Sequence, residues 1–314
     1  MIRSWLDEMG ERSRPYYGQF VLLCLLGCGT ALGAYFVFYR PQPGPMEAHT
    51  GPATFLSGLP LAVLRDQTWS YIAGALYVVG AVLWLLRRGL PWSPWLAALS
   101  YNAAVALFLE NAIQATHVGH LTGLLLVLYA LWYQFYYQEI RTADTAGGFW
   151  TTPLYPRWIY RCSVFALGVF YGLSGLSKWV QSGPGWATGL PLQLWTRLFG
   201  DPHSVFTQMI LADRRVAALL SWTTLIGETA GFLAIVSRRA RPWIGLLLIG
   251  FHLGQIGVFG WGFHANMLLL ALVFLPVADW LPRLFAPSEP REAAPAHVAH
   301  FQNNSHVTEA NEGR

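Results

Sequence analysis

A few ionisable and amide side chains lie inside or at the edges of long apolar runs, where such groups are costly and usually serve a function. They are Glu110, Asn111, His117, His120, Lys178, Glu228, His252 and His264. Most of them fall at the ends of neighbouring apolar runs, whereas Glu228 and His252 lie deeper. We therefore expect these side chains to line one cavity that opens at one face of a membrane.

Lys178 is the only lysine of the chain, although lysine and arginine together number 20. A buried lysine amine can lose its proton and act as a general base or nucleophile, whereas an arginine stays charged. A lysine near a helix end can instead extend its amine to the membrane surface. Spacing alone supports the general base and the snorkelling lysine equally.

The other candidates also allow more than one interpretation. Glu228 and His252 either act at the site or pair with each other as a structural contact between two helices. His117 and His120 are three residues apart on one helical face, and with Glu110 or His252 they could hold a metal. The HxxH spacing alone is weak evidence for such a cluster, and we expect no metal.

The amino-acid composition indicates that the chain lies in a lipid membrane. Of its 314 residues, 54% are hydrophobic and 11% are charged, against about 25% charged in soluble domains. Such a surface excludes an ordinary cytosolic enzyme, a disordered protein and a nucleic-acid-binding protein. We expect an all-α integral membrane protein.

Long apolar stretches define the candidate membrane spans, because a transmembrane helix needs about 20 mostly apolar residues. About eight candidates lie near 17–39, 69–86, 93–113, 120–138, 158–178, 215–236, 242–260 and 261–281. Two further stretches, near 40–68 and 181–213, mix Trp, Pro and Gly with short apolar runs, and we expect them at the membrane interface.

The same reading divides the chain into three parts and orients it. Residues 1–16 form an N-terminal segment, 17–281 the transmembrane domain, and 282–314 a polar tail expected to be disordered. Eight spans place both termini on one side. Because more arginines fall in the loops of that side, including Arg88 and Arg239, we expect both termini in the cytoplasm.

One stretch carries a family likeness. Residues 170–190 form an aromatic and small-residue run that ends in Lys178, followed by Trp186 and Gly189 with W-x-x-G spacing. His120 opens a span within Gly-His-Leu-Thr-Gly-Leu. Further matching features are Glu228, the basic turn Arg238-Arg239-Ala240-Arg241, and Phe251-His252 followed by Gly257-Val258-Phe259. In this order, across about 17–281, the chain resembles the HTTM (horizontally transferred transmembrane) family, which includes the vitamin K-dependent gamma-carboxylases.

The resemblance implies a membrane-embedded redox site. In the carboxylases, the lysine matching Lys178 deprotonates vitamin K hydroquinone, which then reacts with oxygen to give a strong base. That base removes a proton from glutamate, and carbon dioxide adds to the carbanion. Carried over, Lys178 is the general base and His120 an acid, base or anion stabiliser. Trp186 and Gly189 contact the cofactor, and the supporting residues are His252, Glu228, His117, Glu110 and Asn111.

The chain also departs from the carboxylase pattern. Carboxylases have a large luminal domain after the membrane part, whereas only residues 282–314 follow here. Ser177 stands where the carboxylases have a second lysine, and Gly119 where they have Asn. We therefore expect quinol- or lipid-directed chemistry on a small substrate rather than carboxylation of a protein. A partner protein could supply a soluble domain, and the alternative is a non-catalytic protein of the same fold in lipid binding, immunity or assembly.

Overall fold

The computed structural model describes residues 12–13, 15–38, 66–111, 119–147, 155–260 and 263–277, and within them the chain is almost wholly helical. The first half contains α1 (Pro15–Phe38), α2 (Gln67–Leu85), α3 (Trp92–Asn111), α4 (His120–Phe135) and α5 (Tyr137–Gly147). The second half contains α6 (Arg157–Ser182), a 3₁₀ segment (Gly183–Thr188), α7 (Leu190–Phe199), α8 (Val205–Ala212), α9 (Arg214–Thr229), α10 (Gly231–Val236), α11 (Arg241–Phe259) and α12 (His264–Phe274). The helical fold expected from the sequence is confirmed.

Two short strands are the exception to this helical pattern. β1 (Arg12–Ser13) pairs antiparallel with β2 (Tyr155–Pro156), so that Arg12 lies opposite Pro156. This pair ties the segment before α1 to the start of α6.

Among the described residues, five helical stretches are long and apolar enough to cross a membrane. They are Tyr17–Ala34, Gln67–Leu85, Arg157–Thr188, Arg214–Val236 and Arg241–Phe259. Helices α4 and α12 are apolar but have only 16 and 11 residues, and the 20-residue α3 does not belong to the five. The structure therefore supports a helical membrane bundle, and the count of eight spans is not confirmed.

An aromatic core holds the first half of the bundle together. Trp84, Tyr101, Tyr129 and Trp132 are almost fully buried, and many of the rings meet edge to face. Some of the hydroxyl groups also find partners: Tyr129 donates to Tyr155, with 3.0 Å between the two oxygens. Edge-to-face packing of these large rings stabilises this part of the bundle.

Glycines bring α6 unusually close to α9 and α10. A side-chain carbon at Gly172 would lie 2.7 Å from the ring of Phe232, and one at Gly231 would lie 2.8 Å from the backbone of Gly168. One turn closer to the end of α6, a side-chain carbon at Gly175 would lie 3.0 Å from the carbonyl carbon of Glu228. Small residues at such spacing let two helices in lipid pack backbone to backbone. We call the contact of Gly168, Gly172 and Gly175 with α9 and α10 the glycine seam.

The helix directions define two ends of the bundle. Tyr136, just after α4, contacts Trp158 at the start of α6, so α4 and α6 run antiparallel. In the same way, the contact between Asn102 and Gly123 shows that α3 and α4 are antiparallel. The start of α4 and the ends of α3 and α6 therefore lie at one end, which we call the Lys178 end.

The glycine seam can be tested by adding volume to it. We expect Gly172→Leu to destabilise the protein by about 1–3 kcal/mol, because the new side chain would overlap Phe232. Thermal unfolding in detergent measures the change. The same substitution at Gly250, which faces open space on α11, is the control and should leave the melting temperature almost unchanged. Equal losses at both positions would contradict close packing at the seam.

Candidate functional site

The Lys178 amine lies between α6 and α9 rather than extending into solvent. It forms an ion pair with the carboxylate of Glu228, a residue of α9 that is 5% exposed. Only 21% of the Lys178 side chain is accessible. A charge pair this close to the apolar interior is unfavourable unless hydrogen bonds support it.

Ser174 provides that support from one turn earlier on α6. The Lys178 amine donates a hydrogen bond to the Ser174 hydroxyl oxygen at 3.0 Å, and the Ser174 side chain lies close to the Glu228 carboxylate. Because Gly175 faces the backbone of Thr229, the two helices are close enough for the three polar groups to meet. The glycine seam thus positions the ion pair.

The 3₁₀ segment covers the ion pair. Trp186 lies on this segment, with its ring centroid 5.7 Å from the Lys178 amine nitrogen, which is within cation–π distance. Gly189 ends the segment with a φ of 79°, and a side chain there would run into the backbone of Ala218. Gly189 therefore allows the tight turn that leads from the 3₁₀ segment into α7 while the backbone packs against α9.

The indole of Trp186 also offers an unused hydrogen-bond donor. Its Nε1 is buried and has no hydrogen-bond partner within the residues that the structure describes. The hydroxyl of Ser221 on α9 is buried in the same condition. Buried donors without partners are rare, and they commonly mark a place where a ligand or water binds.

A second polar cluster lies deeper in the bundle and joins α6, α11 and α12. The Tyr171 hydroxyl lies 2.7 Å from Nε2 of His252, and Nδ1 of His252 lies 2.8 Å from Oε1 of Gln255. The Asn266 side chain of α12 lies close to the Tyr171 hydroxyl. Tyr171, His252 and Asn266 are each at most 4% exposed.

The acceptor at Gln255 determines the direction of this chain of hydrogen bonds. Because Oε1 can only accept, Nδ1 of His252 carries a proton, and Nε2 then accepts from the Tyr171 hydroxyl. His252 is thus held as a neutral imidazole with both nitrogens in use. The cluster is close enough to Glu228 for an electrostatic interaction between Glu228 and Tyr171.

The remaining predicted residues lie towards the Lys178 end. His120 begins α4 and is exposed, and Glu110 and Asn111 end α3. The side chains of Glu110 and Asn111, and all of His117, lie outside the described residues. His264 is exposed at the start of α12. The structure therefore brings Lys178, Glu228 and Trp186 together, with His252 two helical turns further from that end.

The structure distinguishes some of the alternatives that the sequence left open. Glu228 pairs with Lys178, whereas His252 pairs with Tyr171, so the direct contact between Glu228 and His252 is not formed. In the part of the chain that the structure describes, no three His, Cys, Asp and Glu side chains converge as metal ligands. Two of the candidate ligands, His117 and the Glu110 side chain, fall outside that part.

Sequence reasoning did not single out Tyr171, Ser174, Gln255 or Asn266. Three of the residues that form the site do carry a helical signal, since Tyr171, Ser174 and Lys178 follow an i, i+3, i+7 spacing and share one face of α6. Neutral polar residues are ordinary within apolar runs, and for this reason the signal was not distinctive.

The chain was compared with protein-family models, with curated proteins and with solved structures, and none of them matches it. The site must therefore be interpreted from its own geometry.

The ion pair can be tested with a double-mutant cycle of Lys178→Met and Glu228→Gln. The two effects on the free energy of unfolding should be non-additive by about 0.5–3 kcal/mol, because each substitution removes the same contact. Unfolding in detergent measures each variant. In the control cycle, Arg215→Met at the exposed start of α9 replaces the lysine change and should be additive with Glu228→Gln. Additivity in both cycles would contradict the pair.

The deeper cluster is tested with Tyr171→Phe. Loss of the hydroxyl leaves Nε2 of His252 unpaired in the interior, at an expected cost of about 1–3 kcal/mol. The control is Tyr77→Phe, which removes a single hydroxyl bond of 2.8 Å to the carbonyl of Leu26. Tyr171→Phe should lower the melting temperature more, and the reverse order would argue against the cluster.

Proposed function

We propose that this protein is a membrane-embedded enzyme in which Lys178 acts as a general base on a quinol-like or isoprenoid molecule bound at the Lys178 end. The proposal rests on the surroundings of Lys178, the only lysine of the chain. Its side chain is mostly covered, and its amine is paired with Glu228 and lies beside the ring of Trp186. A lysine that served only to anchor a helix end would direct its amine to water.

The pair with Glu228 provides a way to generate a neutral amine. Within an apolar interior, two separated charges lose much of the solvation that favours them in water. A proton that moves from the Lys178 ammonium to the Glu228 carboxylate leaves a neutral amine and a neutral acid. The amine can then accept a proton from a hydroxyl group of the ligand, while Glu228 holds its own proton and Ser174 orients both groups.

The surrounding residues suit a ligand with a polar oxygen and an apolar body. The Trp186 ring lies beside the Lys178 amine, and its buried Nε1 is a donor that a polar ligand oxygen could use. The face of α6 opposite Lys178 is apolar and exposed, with Leu173, Leu176 and Val180 between 43% and 78% accessible, so the apolar body of such a ligand would extend into the surrounding lipid. When bound, a hydroquinone supplies a hydroxyl whose deprotonation makes the ring oxidisable by oxygen. The resemblance to HTTM proteins supports this ligand class, with His120 as an acid, base or anion stabiliser.

The proposal includes an arrangement in the membrane. We propose eight spans, with α3, α4 and α12 added to the five long ones and both termini in the cytoplasm. The Lys178 end then faces the outer side, and the stretch near 181–213 lies at the interface, whereas most of the stretch near 40–68 falls outside the described residues. A partner protein would supply any soluble domain that the reaction requires.

The decisive experiment measures oxygen uptake by the purified protein in lipid nanodiscs with a panel of reduced quinones. We expect uptake that depends on the quinol and falls at least about 100-fold in Lys178→Ala, because a general base typically contributes that much. Arg215→Ala, which removes an exposed cation at the start of α9, is the matched control and should retain activity. Thermal melts verify folding. Equal background rates in wild type and Lys178→Ala would overturn quinol oxidation for that panel.

A non-catalytic role is the second candidate, and the same ion pair favours it. The contact between Lys178 and Glu228 links α6 to α9 and could serve only as a tie within a lipid-binding or assembly protein. Lys178→Arg separates the two roles, because an arginine keeps the ion pair but is a very poor base. An enzyme should lose turnover while its melting temperature is retained, whereas a protein with a purely structural tie should keep its melting temperature and show no quinol-dependent oxygen uptake in either form.

A further inference from the structure

Helices α7 and α8 form an antiparallel hairpin at the Lys178 end, where α6 has ended and α9 begins. They have 10 and 8 residues, which correspond to about 15 and 12 Å of helix at 1.5 Å per residue. Neither can cross a hydrocarbon core of about 30 Å.

The hairpin is held firmly in place. Gln193 of α7 donates to the carbonyl of Ile210 in α8 at 2.9 Å, which fixes the two helices to each other. Thr207 donates to the carbonyl of Val258 at 2.8 Å, and the backbone amide of Asp201 donates to the same carbonyl at 2.9 Å. The hairpin is therefore an ordered extension of the end of α11.

One face of this ordered hairpin is strongly apolar and uncovered. Seven large apolar side chains are between 45% and 67% exposed: Leu190, Leu194, Trp195, Leu198, Val205, Phe206 and Met209. On α7 the four exposed residues follow helical spacing, and the opposite face is half-buried, with Thr196 fully covered. A patch of this kind marks a surface that contacts a membrane or another protein.

Arginines flank the apolar face at both ends of the hairpin. Arg197 lies in the last turn of α7, and Arg214 begins α9, where its Nε donates to the carbonyl of Thr188 at 3.1 Å. Both arginines are exposed. The nearby carboxylates of Asp201 and Asp213 accept backbone hydrogen bonds at 2.9 and 2.7 Å as turn and helix caps. Arginine side chains can bury their stems beside lipid and bind phosphate with their guanidinium groups.

We propose that the hairpin is a membrane foot, which lies in the phospholipid leaflet at the Lys178 end. Its apolar face rests on the upper acyl chains, and Arg197 and Arg214 contact headgroup phosphates. The combination of an apolar face, flanking arginines and helices too short to span is characteristic of an interfacial helix. Its continuity with the ends of the spanning helices α6, α9 and α11 places the face at the depth of the leaflet boundary.

The foot also determines how the site is reached. The 3₁₀ segment joins α6 to α7, so Trp186 is anchored between the Lys178 amine and the foot. An amphiphile in the same leaflet would have its polar group at the level of Lys178 and its tail among the acyl chains. This step rests on the proposed function, whereas the foot itself does not.

Depth measurements test the foot directly. Single cysteines are introduced at Leu198, Val205 and, as the control, the exposed turn residue His203, after replacement of Cys24, Cys28 and Cys162. Each carries an environment-sensitive fluorophore in phospholipid nanodiscs that contain lipids spin-labelled at the headgroup, mid-chain or chain end. The emission of the probes at 198 and 205 should be blue-shifted, and it should be quenched more by headgroup and mid-chain labels than by chain-end labels. The probe at 203 should report water.

Two outcomes would overturn the foot. In the first, all three probes report water and respond only to a soluble quencher. In the second, the unlabelled cysteines at 198 and 205 form disulfide crosslinks between copies, which would assign the face to a dimer. Thermal melts show that each labelled protein is folded.

The access route has a separate test, which compares a long-tailed with a short, water-soluble hydroquinone. Leu194→Asp/Leu198→Asp should lower oxygen uptake at least several-fold with the long-tailed compound and leave the short one unchanged. Equal effects on both compounds would overturn the access route. No uptake by wild type with either compound would instead count against the proposed function and leave the depth result standing.

Discussion

The close approach of α6 to α9 and α10 is the constraint on which the site depends. Because Gly168, Gly172 and Gly175 present no side chain, the two backbones meet, and the carboxylate of Glu228 comes within reach of Lys178. A larger residue in the glycine seam would push the two helices apart and so separate Lys178 from Glu228, without a direct effect on either side chain. The packing of small residues and the electrostatics of the site are therefore one property of this helix pair.

The deeper cluster shows buried polar groups that satisfy one another. Tyr171 and His252 come from two helices and are joined by a hydrogen bond, His252 also bonds Gln255, and Asn266 lies close to Tyr171 from a third helix. In an apolar medium an unpaired group is costly, so such a cluster fixes the rotation of α11 and α12 against α6. The Nε1 of Trp186 is one of several buried donors among the described residues that have no hydrogen-bond partner, and its ring lies beside Lys178.

Part of this arrangement could be predicted from the sequence, for physical reasons. A charge in an apolar run is conspicuous, and Lys178 and Glu228 were identified on that basis together with the helical fold. Their pairing could not be predicted, because it depends on which helix faces touch, and apolar helices carry little information about their rotation. Tyr171 and Asn266 escaped notice because a neutral polar residue gives no contrast in composition. The eight spans predicted from the sequence are not confirmed, because α4 and α12 are apolar yet short.

The length of α6 has a consequence for the membrane itself. Its 26 residues correspond to about 39 Å of helix, which exceeds a hydrocarbon core of about 30 Å. Such a helix must tilt, protrude or thicken the bilayer around it, and the balance changes with lipid chain length. Since Lys178 lies only one turn from the end of α6, its distance from the aqueous boundary follows the tilt. Hydrophobic mismatch would in this way make the hydration of the Lys178 amine a function of bilayer thickness.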